Sequence, residues 1–369
     1  MKKKTKFALT GLAAGIALAA MSSTAQAQEQ WTMTTTWPDN LALIEIDRHW
    51  VELANTLTGD ELTINFRAGG TLMPGTEVFD ATQTGAIQAA GDWPGYWAGL
   101  SPAFSPLATT TSLFNGVDYL NWIQQWGGFE LYQEVYGDYN MVYLPYGITN
   151  NEAGFMGRTP IESLADLKGK RIRLSGRDQG RVLEKLGGSQ VTLAGGEIYQ
   201  ALERGVIDAG EFSTPGVNYD AGFAEVVEYW SMPGWHQSAS VFGVMINQDA
   251  WDALSKETQE KLKIAADATL AWSLAWSERG ATEGTINFQE AGVEINQLTD
   301  EELARIQEAT NEVIERGACE DPMHAKVYHS MVSYMEHYAN WRDITVPFNM
   351  SRPIDNLPSL EVLESCMNQ

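Results

Sequence analysis

The 369 residues carry 24 Lys+Arg against 48 Asp+Glu, a formal net charge of −24, with 44% hydrophobic and 10% aromatic residues. So acidic a surface repels nucleic acid and anionic lipid, and an anionic ligand would need a local positive focus inside a cleft. Only Cys319 and Cys366 occur, with no CxxC, HExxH or Cys/His cluster, which argues against a structural zinc or redox site.

Met1–Lys6 is a basic segment, Phe7–Ala20 an apolar run and Ser22–Ala27 a polar, small-residue stretch. That order reads as a secretory signal peptide with Ala25-Gln-Ala27 at the cleavage site, which places the mature start at Gln28. The apolar run is too short for a bilayer span. Removing 27 residues takes away four Lys and no acid, so the balance becomes 20 basic against 48 acidic, −28, over 342 residues. That length suggests two domains, and in an exported chain Cys319 and Cys366 favour a disulfide over isolated thiols.

Trp31–Trp37 alternates as a strand, and Leu43, Ile46, Trp50, Leu53 and Leu57 form a helical stripe ending at Thr58-Gly59. Glu61–Phe66 alternates again, so the opening is β-α-β. A helix over 76–86 and a short strand over 87–93 follow, and alternation continues to the strand 140–146. A second α/β block starts near Asn150. It holds a helical turn over 163–169, strands over 170–174, 190–193 and 206–209, and helices over 179–186 and 197–204. Val241–Asn247 is an apolar strand able to return to the first block. Ser255 to about Glu290 reads as one unusually long helix, 293–298 as a strand, and Thr299-Asp-Glu-Glu302 as a capping box opening a further helical stretch.

Four segments carry a family resemblance: Gly69-Gly-Thr-Leu-Met-Pro-Gly75 with Glu77-Val-Phe-Asp-Ala81, Leu164-Ala-Asp-Leu-Lys-Gly-Lys-Arg-Ile-Arg173, Gly195-Gly-Glu-Ile-Tyr-Gln-Ala-Leu-Glu-Arg-Gly-Val-Ile-Asp-Ala209, and Pro233-Gly-Trp-His236. They resemble the solute-binding proteins of TRAP (tripartite ATP-independent periplasmic) transporters. The last two look like the branch that binds α-keto and α-hydroxy monocarboxylates with a metal ion. The resemblance implies an α/β periplasmic solute-binding fold, two α/β lobes around a ligand cleft, with a long linking helix and a helical C-terminal tail. On that basis residues 28–149 plus about 241–298 form lobe I with the linking helix, 150–240 lobe II, and 299–369 a C-terminal helical region. In this branch an extended C-terminal helix is exchanged between partners, which implies a homodimer arm. The location implied is the periplasm, the partners a small organic acid and the TRAP membrane permease, without nucleic acid.

Arg173 is the anchor expected for a carboxylate, because a guanidinium offers two parallel N–H donors that Lys cannot reproduce. Alternation places Arg171 on the same strand face, so periodicity alone does not choose between them. The resemblance puts Glu211 and Phe212 where the branch carries Glu-Trp, the Glu carboxylate and the next residue's carbonyl oxygen ligating a cation. Glu152 stands where the branch has a Gln touching metal and ligand; a one-residue shift would put Asn151 there instead. Gln237 stands where the branch often has a Glu. Arg173, Glu152, Glu211 and a monoanion sum to −2, which a divalent ion balances, so Ca²⁺ is favoured over Na⁺ and no organic cofactor is expected. Trp93, Tyr96, Trp97 and Phe155 are candidate cleft walls, and His236 reads as structural.

The chemistry implied is capture of a pyruvate-, 2-oxobutyrate- or lactate-like acid without bond breaking, and delivery to the permease. A periplasmic hydrolase or lyase is the rival class, but no GxSxG or HExxH appears. A sensor partner, or a receptor for a dicarboxylate or sugar acid, stays open at this point.

Overall fold

The computed structural model describes residues 28–345. The signal segment and Cys366 lie outside them; Cys319 is exposed. The chain opens with β1 (Glu29–Thr35), β2 (Leu62–Phe66), β3 (Ala89–Asp92) and β4 (Met141–Thr149). It continues with β5 (Phe155–Gly157), β6 (Arg171–Arg173), β7 (Ser189–Val191), β8 (Ala209–Gly210) and β9 (Tyr229–Met232), and ends with β10 (Ser240–Asn247) and β11 (Glu294–Gln297).

These strands make two sheets. The first has the order β2-β1-β3-β10-β4, with β1 parallel to β2 and β3, and β10 antiparallel to β3 and β4. Trp31, Met33, Leu62 and Ile64 turn inward from its parallel part, and the helix Ile44–Thr58 lays Ile46, Trp50 and Ala54 on the same core. That helix stops at Gly59, whose φ of 57° suits glycine. The second sheet has the order β11-β9-β5-β8-β6-β7, with β6 parallel to both β7 and β8 and β5 antiparallel to its neighbours β8 and β9.

Strand β4 leads from the first sheet towards β5 in the second, and the chain returns from β9 into β10. The two crossings, residues 150–154 and 233–239, pack backbone on backbone: a Cβ at Gly234 would meet the Glu152 carbonyl oxygen at 2.2 Å. The Glu152 N–H also donates to the Gln237 carbonyl, at 3.1 Å. Only glycine fits so close an approach.

The long helix runs from Lys256 to Glu290 and is capped by the Ser255 hydroxyl, which accepts from the Thr258 N–H. It reaches both sheets' layers: Ser273 Oγ accepts from the Ile148 N–H, and Gly280 and Gly284 lie directly against the backbone of Pro215-Gly216. Helix Asp300–Glu320 opens with the expected Thr299/Glu302 capping box, and helix Pro322–Thr345 packs its Tyr334 on Phe114 and Trp126.

Two strands escape the sequence reading, β5 and β9, both short and buried without alternation. The strand expected over 206–209 shrinks to Ala209–Gly210, since Val206 and Ile207 still belong to the turn after Gly205, where Val206 is exposed.

Candidate functional site

Five segments converge between the sheets. Arg173 ends β6 and pairs in register with Gly210 of β8, so Glu211, one residue further, stands beside it. These are the carboxyl ends of parallel strands, where side chains project into an inter-layer crevice. Glu152 comes from the first crossing, His236 and Gln237 from the second, and Trp93 and Tyr96 follow the end of β3. Arg173, Glu152, Gln237, Trp93 and Tyr96, with Leu43, Ser175, Phe212 and Phe242, line a cavity of about 20 Å³, room for roughly one water.

Arg173 is 1% exposed, and Arg171 is its opposite: solvent-facing and paired with Asp208. The strand is three residues long, so Arg171 lies at its outer end and Arg173 at the cleft end. Arg173 Nη1 donates to Glu211 Oε1 and to the Glu211 carbonyl, both at 2.8 Å. Nε and Nη2 share the Leu193 carbonyl at 3.2 and 3.1 Å. Both Nη1 hydrogens and one Nη2 hydrogen are thus committed, and the remaining Nη2 hydrogen is the donor left for a ligand. Phe212 packs beneath the guanidinium, its ring centroid 5.8 Å from Cζ.

Glu211 also accepts the Ser175 N–H at 2.6 Å on Oε1, while Oε2 has no partner. Glu152 has the same asymmetry: Oε1 lies 3.1 Å from Ser240 Oγ and Oε2 is buried and unpaired. Ser240 Oγ lies 2.8 Å from Gln237 Oε1 as well. Burial pushes the Glu152 carboxyl well above the usual range, and the Glu211 charge adds to it. Burial raises Glu211 too, opposed chiefly by Arg173.

His236, read from the sequence as structural, is packed beside this group. Its Nε2 lies 3.7 Å from Glu152 Oε2 and 3.9 Å from Glu211 Oε2, and neither ring nitrogen has a hydrogen-bond partner. Burial pushes its pKa down to about 3, with Arg173 adding to the effect, so the ring is neutral and adds no charge. The signal available in the sequence was adjacency to Gln237; the turn that aims the ring was not readable.

Of the expected residues, Trp93 is buried with its indole N–H unpaired, and Tyr96 lines the cavity while 39% exposed. Trp97 turns away and donates to Asp92 in the first core, and Phe155 stacks on His236 at 5.1 Å. Asn151 faces solvent, so the one-residue alternative to Glu152 does not reach the cavity. Ser175 and Ser240 were not anticipated, since a lone hydroxyl carries no sequence signature. A larger groove of about 500 Å³, between residues 123–130 and the long helix, has no unpaired buried side-chain atom among its lining residues.

The model of the family of bacterial extracellular solute-binding proteins, family 7 (DctP), matches residues 33–320. The chain belongs to that family. It is a TRAP solute receptor, a binding protein and not an enzyme. The receptor is 28% identical over 315 residues, 85% of this chain and 86% of the relative, to the monocarboxylate 2-oxoacid-binding periplasmic protein of Nostoc sp.. A TRAP solute-binding protein of Bordetella bronchiseptica, a mixed-occupancy dimer with copurified calcium and picolinate, superposes with TM-score 0.83 at 25% identity, covering 93% of this chain and 99% of that one. One from Pseudoalteromonas atlantica, with sodium and pyruvate bound, gives TM-score 0.81 at 26% identity over 86% and 97%. Among the described residues no helix of the receptor is long and apolar enough to cross a membrane.

Proposed function

We propose that the receptor captures a small 2-oxo or 2-hydroxy monocarboxylate together with a metal ion and presents it to a TRAP permease. The observation that carries this reading is the pair of buried, unpaired carboxylate oxygens, Glu152 Oε2 and Glu211 Oε2, beside a buried Arg173. Unpaired buried carboxylate oxygens are costly, and a cation between them relieves that cost. The residues present therefore fit a metal, with Glu152, Glu211 and the Phe212 carbonyl oxygen as its hard oxygen donors. Bound there, the ion would supply positive charge to the ligand's carboxylate and α-oxygen.

The chain's own residues do the rest. Arg173, held by Leu193 and Glu211, turns its free Nη2 hydrogen towards a carboxylate oxygen. The Trp93 indole N–H is a second unpaired donor, suited to another ligand oxygen. Leu43, Phe212 and Phe242 wall off water, which strengthens every charge inside. A cavity of about 20 Å³ is far smaller than a keto acid, so the lobes part for entry and close on the ligand. With His236 neutral, Arg173, Glu152, Glu211 and a monoanion sum to −2, which favours Ca²⁺ over Na⁺. Residues 28–149 with about 241–298 act as one lobe, 150–240 as the other, and the chain after Thr299 as a dimerisation arm. Residues 1–27 direct export to the periplasm.

The test is a thermal-shift matrix on the metal-stripped receptor: pyruvate, 2-oxobutyrate, lactate and succinate, each with Ca²⁺, Na⁺ or EDTA. Ligand selective for the native state raises the melting temperature by mass action. A monocarboxylate shift that needs Ca²⁺ is expected; equal shifts under EDTA, or a response to succinate alone, would overturn the metal-assisted reading.

A further inference from the structure

The two C-terminal helices pack on different cores and meet across one buried polar contact. Helix Asp300–Glu320 adds Ile306, Ala309 and Val313 to the core of the second sheet, against helix Arg177–Lys185 with its Val182 and Leu183. Glu320 ties the same two helices, accepting from Arg177 at 2.9 Å and Arg181 at 3.0 Å. Helix Pro322–Thr345 instead buries Val327, Tyr328, Met331 and Tyr334 in the core of the first sheet. There Trp122 Nε1 donates to Ser330 Oγ at 3.0 Å and Tyr334 to Asp118 at 3.1 Å. Across the boundary, His324 Nε2 lies 2.9 Å from Asp178 Oδ2, and the Tyr328 hydroxyl donates to the same oxygen at 3.3 Å. All three residues are no more than 3% exposed. Burial, with the Asp178 charge adding to it, holds the Tyr328 hydroxyl well above its ordinary value, so it stays a donor. A Cβ at Gly317 would meet the imidazole at 2.6 Å, so a glycine in the facing helix leaves the ring its place.

We propose that Asp178, His324 and Tyr328 form a clasp between the lobes, fastened in this structure, whose strength sets the balance of open and closed receptor. This rests on the reading above that the lobes part for ligand entry. Arg177 holds Asp178 Oδ1 at 3.1 Å from within the same helix, so that bond survives any parting of the cores. Oδ2 has its partners on the helix that packs with the first sheet, and it loses both when the cores separate. A carboxylate oxygen in a dry boundary needs such partners, whereas in the open receptor water replaces them. A contact made in only one of two states shifts the equilibrium between them, and apparent affinity follows the closed fraction. The clasp lies outside the ligand cavity but is tied to it: Ser175, just before helix Arg177–Lys185, lines the cavity and donates its N–H to Glu211.

The test compares the full-length mature receptor with Tyr328→Phe and His324→Gln, by small-angle X-ray scattering without ligand and by titration of pyruvate with Ca²⁺. Both variants should have a larger ligand-free radius of gyration and bind pyruvate roughly three- to tenfold more weakly. Their Ca²⁺/Na⁺ preference should match that of the unaltered receptor, because no clasp residue lines the cavity. A merely structural role would lower the melting temperature and leave dimensions and affinity alone. Because a buried substitution can impair folding, a further readout is on the unaltered receptor: amide hydrogen exchange over residues 321–328 should slow when pyruvate and Ca²⁺ are added. Variants with the dimensions and affinity of the unaltered receptor, or exchange at 321–328 that ignores a bound ligand, overturn the clasp and leave the proposed function standing. If pyruvate does not bind at all, the proposed function fails, and the clasp stands or falls on the ligand-free dimensions alone.

Discussion

Two pairs of buried acids in the receptor have surroundings that differ in kind. Asp47 and Asp92 sit in the core of the first sheet among hydroxyl and indole donors. Asp47 accepts from Thr35 at 3.0 Å and from Tyr146; Asp92 Oδ2 accepts from Trp97 at 2.5 Å and Tyr136 at 3.0 Å, with only Oδ1 left unpaired. Among the described residues neither has an ion-pair partner, only the half-exposed Arg48 acts on Asp47 from nearby, and burial pushes each up to about 7. Glu152 and Glu211 have a guanidinium beside them, each keeps one oxygen without a hydrogen-bond partner, and Glu152 lines the cavity. An acid surrounded by neutral donors can keep its proton and serve packing. An acid pair with an Arg and open oxygens is arranged for something that comes from outside.

The largest expected effect follows from that contrast. Glu211→Ala strands the buried Arg173 and should lose about 3–5 kcal/mol of stability. The melting-temperature response to pyruvate with metal should shrink as well, because Glu211 is also proposed as a metal donor. A loss under 1 kcal/mol by urea titration would mean that Arg173 does not depend on Glu211.

The first pair gives a pH prediction. A folded value near 7 against an ordinary 3.8 means that the native state holds these protons where the unfolded chain has released them. Their stabilising contribution is therefore present at low pH and lost as pH rises towards 7, on the order of a few kcal/mol for the pair. The ligand-free melting temperature should fall between pH 5 and pH 8, and Asp47→Asn should flatten the slope. An unchanged slope would place the titration elsewhere.

A smaller effect sharpens the role of the second pair. The resemblance sets a Gln at position 152 and a Glu at position 237, the reverse of this chain, and Ser240 touches both side chains here. Glu152→Gln should shift ligand binding from Ca²⁺ towards Na⁺ by roughly tenfold, as one buried charge disappears. Adding Gln237→Glu should restore most of the preference, with a coupling of about 1 kcal/mol or more by double-mutant cycle. Strict additivity would show that the carboxylate cannot change places across Ser240.

Legibility follows the same division. Arg173 and Glu211 were readable because both stand at the ends of motif-bearing strands, where family likeness fixes register to the residue. Even so, periodicity left Arg171 level with Arg173; strand length and position in the sheet separated them. The buried acids of the first core gave no signal: Asp47 sits one residue after Ile46 on a helix whose apolar stripe was read without it.

The sequence by itself determined the family, the alternating α/β order, the long helix, the Thr299 cap and the need for a buried cation in so acidic a chain. The family rests on the likeness of four motifs, and the rest on periodicity, local capping and composition, all of which are written along the chain. Only the tertiary structure decided that Glu152 and not Asn151 faces the cavity, that His236 stands between two acids, and that Arg173 keeps one hydrogen free. Each depends on where two crossings meet across glycine contacts at Gly154 and Gly234, about 80 residues apart in sequence. No local pattern encodes the distance between segments that meet only when the sheets are assembled.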